Sequence, residues 1–297
     1  MYKKHFHLNE LPFTLTPDTN YFYKLAAHHE AFNVLMLNLR NGEGFIKVTG
    51  NVGSGKTLLC RMLLENLGDR FFTAYIPNPD LEASALRKSF AQELGIPEEN
   101  FSDQHKLLSA INQKLFELHE QGKQVVLVID EAQALPTESL ETLRLLANLE
   151  TRSAKLLQIV LFGQTELDTR LNQGSLRQLK QRIGFSSKLS LLKYSELAAY
   201  VQHRLTVAGY KNRYPLFTKP ALWWLFHKSH GVPRLINIFC HKAMMSAYGR
   251  GKHIVKYRDI VNACKDTESV SHHSHLAVFI GLSLALAGIC FLLLGRI

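Results

Sequence analysis

The eight residues Gly50-Asn51-Val52-Gly53-Ser54-Gly55-Lys56-Thr57 follow the spacing G-x-x-x-x-G-K-[ST]. Glycines at 50, 53 and 55 let backbone N–H groups converge on phosphate oxygens, and the helix that follows, from Leu58 onward, turns its positive end toward them. In such a loop the Lys56 ammonium reaches the β- and γ-phosphates, and the Thr57 hydroxyl is a ligand for Mg²⁺. The chemistry implied is binding of a nucleoside triphosphate with Mg²⁺. A bound triphosphate alone does nothing, so a metal-ordering acid and a group that activates water must come from elsewhere.

The run "KQVVLVIDEAQAL" supplies both. Val125 to Ile129 is continuous and β-branched, as a fully buried parallel strand must be, and it delivers Asp130 and Glu131 at its C-terminal end. Asp130 is expected to order Mg²⁺ through water and Glu131 to polarise the attacking water. A third apolar run, "KLLQIVLFGQ" (155–164), ends on Gln164. If its strand lies beside the one carrying Asp130, the amide is placed to orient that water. Arg234 follows Pro233 in the first turn of a later helix, and its planar donors suit a γ-phosphate.

These residues need a scaffold of strands and helices in alternation. Phe45 to Thr49 reads as a strand before the phosphate loop, and helical apolar spacing runs from Leu58 until Gly68. Further strand-like runs stand at 71–76 and 185–192, and "PTESLETLRLLANLE" has helical spacing through Leu140, Leu143, Leu146, Ala147 and Leu149. That alternation predicts an α/β layered sheet. Lys47 is out of place in a strand expected to be buried. From about Ser195 only helical patterns follow, in "SELAAYVQHRLTVAGY", "TKPALWWLFHKSHG" and "GVPRLINIFCHKAMMSAYG", predicting a separate small helical domain with Trp223 and Trp224 as packing residues.

Residues 276–294 are 19 in a row without a charge. As a helix they span about 28 Å, enough for a bilayer, and no polar stripe marks a core helix, since only Ser283 and Cys290 interrupt the run. Lys256, Arg258 and Lys265 precede this segment and Arg296 alone follows, which orients the bulk of the chain to the cytoplasm. The start of the chain has no apolar signal-peptide core. Four cysteines without paired spacing predict free thiols, and "HHSH" (272–275) reads as a polar linker rather than a metal site. The net charge of +10 calls for an acidic partner, either nucleic acid or an anionic lipid leaflet.

The stretches "HFHLNELPFTLTPD", "HHEAFNVL", "GNVGSGKT", "VIDEAQAL", "LFGQTELD", "LKQRIGF" and "GVPRLIN" together resemble the AAA+ ATPases of the ExeA/GspA type, over residues 2 to about 265. Within that family the arrangement looks most like the ATPases of MSHA-type pilus biogenesis, without the peptidoglycan-binding domain of the longer members. The resemblance implies a P-loop AAA+ parallel sheet flanked by helices (41–192), preceded by a segment shaping the nucleotide-base pocket (1–40). A helical lid (193–265), a linker (266–275) and a transmembrane helix (276–294) follow. It implies ATP and Mg²⁺ as ligands, with Pro12, Phe13 and His28 near the base. Arg182 is implied as the arginine finger offered to a neighbouring subunit, ahead of Arg177, and Arg234 as the sensor arginine of the lid. Thr165 stands where relatives often carry Pro.

A finger given in trans implies ring-like self-association, with inner-membrane pilus or secretion assembly proteins and membrane lipid as partners. The expected location is the bacterial inner membrane, with a single-pass C-terminal anchor and a cytoplasmic ATPase. Two other readings stay open. One is a DNA-directed AAA+ helper of the transposition or initiator type, which the basic charge allows but which lacks a recognisable helix-turn-helix, so nucleic acid is not expected. The other is a nucleotide switch that binds ATP with little turnover.

Overall fold

The computed structural model describes residues 2–23, 26–77, 79–101, 103–150, 154–212 and 214–267. The elements run α1 (Tyr2–His5), α2 (Ala26–Arg40), β1 (Phe45–Gly50), α3 (Lys56–Asn66), β2 (Phe71–Ile76), α4 (Ala83–Glu93), α5 (Gln104–Glu120) and β3 (Gln124–Ile129). They continue with α6 (Thr137–Leu146), β4 (Leu157–Gly163), α7 (Thr165–Leu171), α8 (Arg177–Arg182), β5 (Phe185–Leu189), α9 (Tyr194–Val207), α10 (Lys219–Ser229), α11 (Pro233–Gly249) and α12 (Tyr257–Lys265). The apolar segment 276–294 and the histidines at 272–275 lie outside the described residues. Among the described residues no helix is long and apolar enough to cross a membrane.

Residues 17–191 form one compact unit, built on a parallel five-stranded sheet of order β2-β3-β4-β1-β5. Parallel strands need cover on both faces, and alternate residues of β3 supply it. Val125, Leu127 and Ile129 pack into one layer with α4, α5 and α6, whereas Val126 and Val128 pack into the other with Leu35, Leu39, Leu59 and Leu63 of α2 and α3. In this order β4 lies between β3 and β1, with Val125 opposite Leu157 and Thr49 opposite Gly163. The residues that follow β3 and β4 therefore emerge beside the loop that follows β1, at the edge where such sheets bind ligands.

Lys47 on β1 is explained by its partner. Its ammonium pairs with the Asp168 carboxylate on α7, whose other oxygen accepts the Thr49 hydroxyl at 3.1 Å. The buried Gln158 of β4 similarly ties the end of α2 to the sheet, donating to the carbonyls of Leu39 and Glu43 at 3.0 Å each.

The second unit comprises residues up to Thr16 together with the chain from Leu192 onward. α9 to α12 pack around Leu197, Leu205, Leu225, Ile236, Phe239, Met244 and Ile260. Pro233 opens α11 at a position where its missing N–H costs nothing. α12 is a fourth helix beyond the three patterns read from sequence. The sequence treats 1–40 as one segment, but packing divides it. Residues 2–16 belong with the helices, where the buried Arg204 donates to the Pro12 carbonyl at 2.6 Å and Tyr2 bonds His241 at 2.8 Å. α2 belongs with the sheet. Trp223, expected to pack inside, is 45% exposed. On α10 the buried stripe is Ala221, Leu225 and Ser229, and a residue two positions on from Ala221 falls on the far side of the helix.

Candidate nucleotide site

Gly50 ends β1 and Lys56 opens α3, so the loop between them is spanned by a strand and a helix at fixed separation. Gly53 and Gly55 take positive φ, 75° and 101°, which side chains with a Cβ rarely adopt. A Cβ at Gly50 would stand 2.7 Å from the Ser54 hydroxyl, and one at Gly55 would stand 3.1 Å from His28. The glycines keep a cradle open that a methyl group would fill. Ser54 is fully buried, and its hydroxyl has no hydrogen-bond partner among the described residues. Asn51 holds the turn by accepting the Ser54 amide at 3.1 Å, and Val52 projects at the tip, 57% exposed.

Lys56 is buried, and its ammonium donates to the carbonyls of Gly50 and Asn51 at 3.0 and 3.1 Å. Burial holds its pKa below the usual lysine value, opposed by the charges of Glu131, Asp130 and Glu166. The ammonium is thus kept across the mouth of the loop, facing carboxylates. Asp130, also buried, is pushed up by that burial, while the Thr57 hydroxyl and the Glu131 amide, at 2.9 Å, favour its charged form. Two protein oxygens, from Thr57 and Asp130, suit Mg²⁺, which keeps several waters and takes the rest of its shell from phosphates.

Glu131 sits in the left-handed region, φ 52°, at the start of a tight turn over Ala132–Ala134. A non-glycine residue held there signals a conformation enforced by its surroundings. The enforcement comes from amides. Gln133 donates to the Glu131 carboxylate at 2.5 Å, and the Gln164 side chain donates to the same oxygen at 3.2 Å. Gln133 also accepts the Gln164 backbone amide at 2.9 Å, and its own carbonyl takes the Arg170 guanidinium. The sequence reading placed Glu131 and Gln164 but missed Gln133. Its signal was an amide two residues past an acid that must turn sharply at a strand end.

Beneath Asp130, Cys60 is fully buried, and burial pushes its thiol well above the usual range. Its neighbour Tyr75 is pushed up to about 12 by burial. Cys60, Cys240 and Cys264 are free and buried, as packing residues.

His28, on α2, donates from Nε2 to the Ser54 carbonyl at 2.8 Å, bracing the phosphate loop from outside. Leu58 continues α3. Arg177 and Arg182 stand at the two ends of α8, both exposed. In the helical unit Arg234 is exposed in the first turn of α11. The turn before it is fixed by Gly231, φ 74°, where a Cβ would meet the Leu192 carbonyl at 2.1 Å. Pro12 and Phe13 pack within that same unit, Phe13 edge-on to Phe217.

A family model described as an AAA domain matches residues 39–171, which contain the loop, Asp130, Glu131, Gln133 and Gln164. General secretion pathway protein A of Aeromonas hydrophila is 40% identical over 288 residues. The match takes in 97% of this chain and 52% of the relative, so the chain spans about half the length of the curated protein it matches. Among solved structures, the ORC2 protein of Aeropyrum pernix superposes with a TM-score of 0.63 at 16% identity, covering 88% of this chain and 74% of that one. Cdc6p of Pyrobaculum aerophilum gives 0.63 at 18%, covering 84% and 70%. The RuvB branch migration motor of Thermotoga maritima gives 0.54 at 13%, covering 86% and 73%. At these identities the likeness concerns the fold alone. With a phosphate loop, a paired acid and a matching domain in one sheet, the chain carries an AAA ATPase domain and is a homologue of General secretion pathway protein A.

Proposed function

We propose that this ATPase hydrolyses ATP at subunit boundaries to drive or regulate assembly of a type IV (MSHA-like) pilus or related secretion machinery at the bacterial inner membrane. The observation that carries the reading is Glu131, presented by a strained turn beside Gln164 and across from Lys56. A nucleotide switch would have no use for a carboxylate so placed. Lys56 and the loop amides would hold the β- and γ-phosphates, and Thr57 and Asp130 would hold Mg²⁺, whose chemistry when bound is to neutralise charge on the phosphate oxygens. Glu131 draws a proton from the attacking water while Gln164 orients it. Arg182 completes the site from a neighbouring subunit in a ring-like assembly, and Arg234 makes the helical unit a lid that follows the state of the γ-phosphate.

The apolar segment 276–294 anchors the motor beside its machinery, with the ATPase in the cytoplasm. The likeness to General secretion pathway protein A of Aeromonas hydrophila, at 40% identity, supports a secretion role. The test is capture: full-length Glu131→Gln protein held with ATP in membranes, crosslinked, and its partners identified. Pilus or secretion components recovered with Glu131→Gln and lost with Lys56→Ala support the reading. Recovery of nucleic acid and its binding proteins would instead favour the DNA-directed helper.

A further inference from the structure

The positive charge of this protein is not shared between its two units. Residues 17–191 carry 19 Lys and Arg against 20 Asp and Glu, a net charge of −1. Residues 1–16 and 192–267 carry 15 against 4, a net charge of +11 on about half as many residues. The nucleotide chemistry of the sheet explains none of this excess. Much of it gathers at one place, the turn joining α11 to α12.

That turn reads "YGRGKHIVKYR" (248–258) and is exposed throughout except at Val255. Arg250, Lys252, Lys256 and Arg258 project from it. α1 brings Lys3 and Lys4 alongside, because the His5 ring stacks on His253 with centroids 4.0 Å apart and meets Tyr248 edge-on at 5.3 Å. The acid that follows the stretch, Asp259, is fully buried and occupied by Arg250, the Ser246 hydroxyl and the Lys256 amide. It stiffens the turn without neutralising its outer face. Among the cations stand apolar groups that the fold leaves uncovered: Ile254 is 46% exposed, Tyr257 41% and Tyr248 40%.

From this combination we infer that the 248–258 turn, with Lys3 and Lys4 beside it, is a docking surface for an anionic phospholipid membrane. Phosphate backbones of nucleic acid attract lysine and arginine equally well, but they offer nothing to an aliphatic tip such as Ile254. A bilayer interface takes all three kinds of group: cations at the headgroups, tyrosines at the boundary, and Ile254 just beneath. The inference extends the proposed anchor. α12 is nine residues long, about 13 Å, and the ten residues 266–275 follow it, so an inserted segment 276–294 holds the turn within reach of the leaflet.

The test uses the full-length chain carrying Ile254→Cys and Cys290→Ser, labelled at residue 254 with a fluorophore quenched by brominated acyl chains. It is mixed with vesicles of phosphatidylcholine alone or of phosphatidylcholine with phosphatidylglycerol, and flotation is recorded in parallel. Quenching on the anionic vesicles only, lost at high salt, is the expected result. Each cation removed should weaken docking about fivefold, so Lys252→Glu with Arg258→Glu should abolish quenching, whereas Arg70→Glu with Lys106→Glu on the other unit should not. Flotation with both vesicle types but no quenching on either would overturn the docking surface and leave the anchor standing. Charge-dependent quenching without flotation on neutral vesicles would support the surface and overturn the anchor. Quenching equal on both lipids, or binding of duplex DNA that the Lys252→Glu, Arg258→Glu protein loses while lipid gives no signal, would contradict the inference.

Discussion

Gln133 clamps Glu131: its side-chain amide donates to the Glu131 carboxylate at 2.5 Å while its oxygen accepts the backbone amide of Gln164 at 2.9 Å. One side chain therefore ties the end of β3 to the end of β4. On the proposed mechanism, Gln133→Ala frees Glu131 from its strained turn and lowers turnover by about tenfold to a hundredfold, the usual effect of losing an orienting partner. ATP affinity, set by the loop and Lys56, should not change. A kcat equal to wild type would show that the clamp has no part in positioning.

The Lys47–Asp168 pair makes a stability prediction independent of nucleotide. The Lys47 side chain is 13% exposed, so Asp168→Leu strands a nearly buried charge and also leaves Thr49 unpaired. A loss of about 1–3 kcal/mol is expected, because Asp168 itself is 35% exposed. Adding Lys47→Met should recover most of that loss. Thermal or urea unfolding of the two variants measures both effects, and equal stability of the single and double variants would contradict them.

These two pairs mark the limit of what the sequence reveals. The central strands were legible because buried parallel strands are near-continuous apolar runs, as in Val125–Ile129 and Leu157–Gly163, whereas β5, Phe185–Leu189, mixes polar and apolar residues at the edge of the sheet. The phosphate loop and Asp130–Glu131 were legible because their residue types and spacing are dictated by phosphate and metal. Lys47 was not, since its partner is 121 positions away on α7. Gln133 was not, because its role exists only once β3 and β4 are in register. The docking of residues 2–16 on the helical unit was equally hidden, resting on Arg204 reaching Pro12 across 192 positions.

Asp130 should show its burial in the pH dependence of stability. Its folded pKa is raised above the ordinary value of 3.8. The charged form is thus disfavoured in the folded protein, and stability assigned to this group is present below the unfolded pKa and lost as pH rises through the folded one. Asp130→Asn should therefore melt higher than wild type at neutral pH, with the difference shrinking as pH falls below about 4, while Mg²⁺-dependent turnover is lost. A variant melting lower than wild type across the whole range would contradict this.

Arg182 is proposed to act on a neighbour's ATP. Arg182→Ala alone should bind ATP normally and turn it over slowly, as should any subunit facing only such neighbours. Mixed with Lys56→Ala, which keeps its finger but lacks a working loop, it should regain activity that neither protein has alone. A mixture no more active than the sum of its parts would mean that the finger works within its own subunit or not at all.

Glu131 is the residue on which hydrolysis turns, so the decisive measurement is ATP binding and turnover by wild type, Glu131→Gln and Lys56→Ala under one set of conditions. The prediction is that Glu131→Gln binds ATP as wild type does yet turns it over at least about a hundredfold more slowly, while Lys56→Ala fails to bind. If Glu131→Gln holds ATP and hydrolyses it at the wild-type rate, the carboxylate is not the base and the protein is a nucleotide switch.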